Sequence, residues 1–173
     1  MRDDLAVDSN GRTAVEDESI RLRTILAPID FSDEAMFAFR HASRLAEEVG
    51  GKVIALNVVE SPNIYPAYER EEEEKLEGEA QHKLDQMCQT EAINPDKVET
   101  MVRLAAESVS EEILAAARDV AADLIVVPVS HLAVFRHALF GHTVDKIVRH
   151  APCPVLMVPV PSPAAERIED HQL

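Results

Sequence analysis

The chain has 173 residues, 46% of them hydrophobic and 28% charged, which fits one globular domain long enough to bury a full core. A formal net charge of −15 argues against nonspecific binding to nucleic acid or to an anionic membrane, because neutralising phosphate needs Lys and Arg. No apolar run approaches the roughly 18 residues of a membrane span, and with aromatics at 4% and no Trp the core falls to Val, Ile, Leu and Ala.

Residues 1–22 are polar and charged without a sustained period and read as a mobile extension; "MRDDLAVDSNGRT" is too acidic for a signal peptide. "TILAPID" (Thr24 to Asp30) reads as a buried strand ending in an acid. Ser32 is placed to cap a helix over Asp33 to Val49, whose apolar face is expected at Met36, Phe39, Ala42, Ala46 and Val49. Gly50-Gly51 stops it, and "KVIALNVV" (Lys52 to Val59) gives a second strand with Asn57 as its one uncharged polar interruption.

A Pro-containing loop over Glu60 to Tyr68 leads into a strongly helical stretch from Glu69 to Ala92. Its glutamates read as a solvated face, with Leu76, Ala80, Leu84 and Met87 turned inward and Cys88 on or near that stripe. Glu71–Lys75 and Glu79–Lys83 stand at the spacing of favourable pairs. "KVETMVRL" (Lys97 to Leu104) alternates as a half-buried strand. Ser108 and Glu111 then form a capping box for a helix burying Ile113, Leu114, Ala117 and Val120 or Ala121.

"DLIVVPV" (Asp123 to Val129) is the most continuously apolar strand, as a central parallel strand should be. A last helix from Thr143 to His150 is expected to bury Val144, Ile147 and Val148. "PVLMVPV" (Pro154 to Val160) is a fifth strand, and residues 161–173 form a polar tail. The alternation predicts an α/β fold, a doubly wound five-stranded parallel sheet with helices on both faces. Ligands of that class bind beyond the strands' carboxyl ends, here at Pro28, Ile29 and Asp30 or from Val127 onward.

The chemistry of several doubly wound enzymes is missing. "APIDFSDEA" after the first strand holds no glycine for a dinucleotide fingerprint, and there is neither a Walker lysine loop nor a Gly-x-Ser-x-Gly elbow. No catalytic residue is assigned, and the chain is not expected to be an enzyme. His131, His137, His142 and His150 crowd together but lack any metal-ligand spacing, so no metal site is expected. Cys88 and Cys153 stand in unrelated contexts, which suits a reduced, cytoplasmic protein.

"TILAPIDFSDEAMFAFRHASRLAEEVGGKVIALNVVE" resembles the opening of universal stress proteins, and "ADLIVVP" with "FRHALFGHTVDKIVRHAPCPVLMV" resembles their closing segment. The resemblance covers residues 23–160 and implies the adenine-nucleotide α-hydrolase-like fold of that family. It further implies a homodimer through the last strand, Pro154 to Val160, and a role in stress survival that is not clearly enzymatic, with an unidentified protein partner possible. Some members bind ATP and some do not.

Binders of that family carry Gly-x-x-Gly after strand four and later a Gly followed by Ser or Thr. Here the first two glycines fall on Pro128 and His131, the third is kept as Gly141, and the hydroxyl falls on His142 with Thr143 one place later. Pro28 and Asp30 are kept, and Val58 falls where binders touch the adenine. Pro128 has no N–H to offer phosphate and His131 adds bulk where the chain should be bare. The expectation is a stress-response or regulatory module that binds ATP weakly or not at all. The alternative is a member that holds ATP, with or without Mg, through an atypical loop.

Overall fold

The computed structural model describes residues 21–60, 69–105, 108–130 and 142–161. Among these described residues, five strands, β1 (Thr24–Ile29), β2 (Lys52–Glu60), β3 (Val98–Ala105), β4 (Leu124–Ser130) and β5 (Val155–Val160), alternate with four helices. These are α1 (Asp33–Val49), α2 (Glu69–Glu91), α3 (Val109–Asp119) and α4 (His142–His150), with one 3-10 turn at Pro95–Lys97. All neighbours are parallel in the order β3-β2-β1-β4-β5, so the chain reverses direction of build between β1 and β4.

Side-chain alternation along the strands splits the core into two layers. Ile25, Ala27, Ile29, Val53, Ala55 and Val126 face Ala38, Phe39, Ala42 and Ala46 of α1 and Leu84, Met87 and Cys88 of α2. Leu26, Ile54, Leu56, Ile125 and Val127 face Ile113, Ala116 and Ala117 of α3 and Ile147 of α4. Each fully buried Leu, Ile or Phe side chain stabilises the fold by about 1.5–3 kcal/mol, so these layers carry the fold's apolar stabilisation.

Local signals set the element ends. Ser32 caps α1 by accepting from Ala35 N at 3.1 Å, and Gly50 ends it in the left-handed region at φ 72°. Gly51 is buried where a Cβ would strike the Leu22 and Arg23 carbonyls, so that turn admits no larger residue. Ser108 accepts from Glu111 N at 3.3 Å to start α3. Asp123 fastens the start of β4 to the start of β1 by accepting from the Arg23 and Thr24 amides at 2.8 and 2.9 Å.

The helices bury the expected Phe39, Ala42, Ala46, Leu84, Met87, Ile113, Leu114, Ala117 and Ile147, and differ from expectation only at the edges of their faces. In α1 Val49 is 45% exposed and Met36 only partly buried, while Ala35, Ala38 and Ser43 are buried. Small side chains let the helix lie close to the sheet, and Val49 sits at the helix's end, beyond the buried face. Val148 is likewise 41% exposed, and Ala121 leaves the α3 face in a left-handed turn at φ 48°. On α2, Lys75 pairs with Glu79 at 3.9 Å rather than with Glu71, and Lys83 lies over the Phe31 ring, 4.0 Å from its centroid.

Cys88 is a buried free thiol on the inward stripe of α2. Burial pushes its pKa from 9.0 up to about 12, with the Asp85 carboxylate adding to the effect. The unfolded chain therefore loses this proton before the folded one does. The thiol's contribution to stability is complete below pH 9.0 and is lost as pH rises towards about 12. Between pH 8 and 10 the urea midpoint should fall more for the wild type than for Cys88→Ala; equal slopes would show that Cys88 ionises freely.

Candidate functional site

The reversal of strand order opens a crevice, and hydrogen-bond direction explains why. Lys52 N donates to Arg23 O at 2.8 Å, so the odd-numbered backbone groups of β1 face β2 and the even-numbered ones face β4. Ile125 N donates to Pro154 O at 3.0 Å, so the odd-numbered groups of β4 face β5 and the even-numbered ones face β1. Pairing between β1 and β4 ends at Leu26↔Ile125. The next two donors that would continue the ladder are the nitrogens of Pro28 and Pro128, and neither carries a hydrogen.

Two consecutive missing donors stop the ladder, leaving the Val126 and Pro28 carbonyls without strand partners on that side. The strands separate towards their carboxyl ends. The resulting cavity of about 430 Å³ is lined by Pro28, Ile29, Asp30, Ala35, Leu56, Val58, Glu60, Val109, Ile113, Val127, Pro128, Thr143, Val144 and Ile147. β2 runs to Glu60, past its last partner in β1 at Ile29↔Asn57, so its outer backbone borders the cavity.

The lip is built by β1's exit. Asp30 Oδ1 accepts from Ser32 N at 2.9 Å and from Ser32 Oγ at 2.5 Å, while its Oδ2 has no partner among the described residues. Phe31 takes the left-handed region at φ 62°, turning the chain away from β2. Asn57, buried in β2, donates from Nδ2 to Ile29 O at 2.6 Å and fixes the last residue of β1. That bond gives the polar interruption of an otherwise apolar strand its role.

Charge around the crevice is one-sided. Its walls carry the carboxylates Asp30 and Glu60 and, among the described residues, no Lys, Arg or His. Lys146 of α4 is held by Glu111 at 2.6 Å. Arg149 is held by Asp145 at 2.9 Å, and this bond lowers the Asp145 pKa, keeping an anion in the first turn of α4. Among the described residues no three His, Cys, Asp or Glu converge as metal ligands would.

The cavity thus gathers Pro28, Ile29, Asp30, Val58, Val127, Pro128 and Thr143 from four elements. His142 heads α4, is exposed and is not among the walls. His131 and Gly141 lie outside the described residues. Ala35, Leu56, Glu60, Val109, Ile113, Val144 and Ile147 were not expected as site residues. Only Glu60 carried a usable signal, as the acid ending its strand.

A family model for the universal stress protein family matches residues 21–159. Universal stress protein G of Escherichia coli O157:H7 is 32% identical over 146 residues, spanning 79% of this chain and 98% of that protein. The solved universal stress protein UspA from Lactobacillus plantarum is 29% identical with a TM-score of 0.63, covering 80% and 98% of the two chains. A universal stress protein solved in complex with cAMP is 18% identical with a TM-score of 0.60, covering 80% and 97%.

Replacing Pro28 and Pro128 together by Ala should return both donors and extend the β1–β4 ladder. Hydrogen exchange should show the two new amides slowed at least about tenfold against an unprotected amide. Exchange at the unprotected rate would mean that something other than the prolines holds the strands apart.

Proposed function

The chain belongs to the universal stress protein family, and on that premise we propose that it is a non-enzymatic, homodimeric stress-response or regulatory module whose switch-point cavity binds ATP weakly or not at all. The carrying observation is the donor-poor crevice. Pro28 and Pro128 withhold backbone N–H groups where the strands part, and no cation stands among the described walls. Phosphate oxygens are acceptors and need such donors. The cAMP-bound neighbour supports a small-molecule role for a cavity on this fold. It also favours the second reading, a nucleotide-binding member using an atypical loop with His131 and Gly141.

No catalytic group is proposed. Asp30 is engaged with Ser32, and the thiols of Cys88 and Cys153 are both made less acidic by burial. A cytoplasmic setting agrees with two free cysteines, and among the described residues no helix is long and apolar enough to cross a membrane.

The proposed dimer uses β5. As an edge strand it offers unpaired backbone groups, flanked by Leu156 at 41% and Met157 at 39% exposure on opposite faces. A second copy pairing there would cover both. Light scattering should give about twice the 19.1 kDa chain mass, and Leu156→Glu with Met157→Lys should return the single-chain mass. An unaltered dimer in the double variant would move the interface elsewhere.

Mass spectrometry of the purified protein and calorimetric titration with Mg-ATP test the ligand reading. A dissociation constant weaker than about 10 μM is expected. Replacing Pro128 and His131 with Gly and His142 with Ser should then raise affinity. Stoichiometric, tighter ATP binding by the wild type would establish the second reading instead.

A further inference from the structure

A second cavity, of about 310 Å³, lies between α1 and the end of α2 and shares no wall with the crevice. Its described walls are Phe37, Arg40, His41 and Arg44 of α1, Glu91 at the end of α2, and Ile93 just beyond. The four α1 residues follow the spacing of a single helical stripe, so they stand side by side.

Hydrogen bonds hold this hollow in shape. Arg40 reaches Glu91 Oε2 with both Nε and Nη2 at 2.6 Å and so ties the two helices together. The buried Ser43 hydroxyl accepts from Ile93 N at 2.8 Å, which pins the backbone there while Ile93 stays 50% exposed. Just past it, Glu47 accepts from Asn94 at 3.3 Å and pairs with Lys97 at 3.0 Å. His41 donates from Nδ1 to the Phe37 carbonyl at 2.9 Å, and its ring centroid lies 4.5 Å from that of Phe37. The half-buried phenyl ring and the exposed isoleucine are thus an apolar surface fixed in position.

Charge supplies the other half of the site. In a chain of net charge −15, these walls bring two guanidinium groups together with one carboxylate. Glu91 is engaged by Arg40, and Glu47, one turn beyond Arg44, is engaged by Lys97 and Asn94. Arg44 makes no ion pair among the described residues and is exposed beside the apolar surface. Its planar fork of donors matches the two oxygens of a carboxylate.

We propose that this hollow binds a compact organic monoanion, an aryl or branched-alkyl carboxylate, with the carboxylate on Arg44 and the apolar body against Phe37 and Ile93. A volume of about 310 Å³ stands at the lower end of ligand sites and suits one ring or one branched chain. The site is independent of the crevice between β1 and β4, and it stands whether or not that crevice holds ATP.

NMR titration of the full-length protein, labelled at its isoleucine methyl groups, tests this with phenylacetate, 2-phenylethanol and acetate. Phenylacetate should shift the Ile93 methyl with a dissociation constant of about 1 mM, as a ligand of its size allows. The uncharged alcohol and the ringless acid should each bind at least about fivefold more weakly. Arg44→Gln, checked for unchanged melting, should weaken phenylacetate about fivefold and leave 2-phenylethanol unchanged. Raising NaCl to about 0.5 M should act in the same direction. Equal binding of the alcohol or of acetate overturns the proposal, as does indifference of phenylacetate to Arg44→Gln. Shifts confined to Ile113 and Ile147, or an Ile93 methyl unmoved at about 20 mM phenylacetate, overturn it too.

Discussion

Two absent hydrogen atoms determine where this molecule opens. A parallel sheet closes by ladders that run on until a strand ends, as β2 and β3 do from Val53↔Val98 to Glu60↔Ala105. Between β1 and β4 the ladder stops at Leu26↔Ile125, although both strands continue for several residues. The order of the sheet places its reversal at this seam, so helices on opposite layers diverge just where the strands lose their bonds. Strand pairing, layer divergence and side-chain size therefore agree in leaving a space. Had either proline lain one residue along, its nitrogen would have faced β2 or β5 and cost a ladder bond without opening this seam.

A tension between local and collective electrostatics follows from the same geometry. Each acid in the first turn of α1, α3 or α4 stabilises its helix by about 0.3–1 kcal/mol through the helix dipole. In a βαβ fold these N-termini gather at the carboxyl end of the sheet, so locally favourable choices sum to one negative field over the crevice. Among the described residues, the cations beside the N-termini of α3 and α4, Arg103, Lys146 and Arg149, are spent on neighbouring carboxylates. Capping chemistry and ligand chemistry thus share the same few side chains.

Much of this was legible in the residues themselves. Ser32 before Asp33-Glu34, with Gly50 after Val49, marked α1 to the residue, because capping is local chemistry. The inward faces were less legible. Spacing rules weight Met36 and Val49 as core, but contact with the sheet goes to Ala35 and Ala38, whose small size permits close approach. Of the expected site residues, Pro28, Ile29, Asp30, Val58, Val127, Pro128 and Thr143 line one cavity, since strand ends could be placed from the alternation. What Pro128 does there was not legible. It stood out as a missing glycine, but the side its nitrogen faces depends on the pairing of β4 with β1 and β5, which is a property of the sheet and not of a segment.

The uniform direction of the strands also gives the molecule two unlike poles. The chain enters β1 at Thr24 at the pole where Asp123 clips the strands together, and leaves β5 at Val160 at the pole where the crevice opens. A tether that followed directly on Val160 would start on the crevice side of the sheet, whereas one that ended directly at Arg23 would start at the opposite pole, away from the crevice.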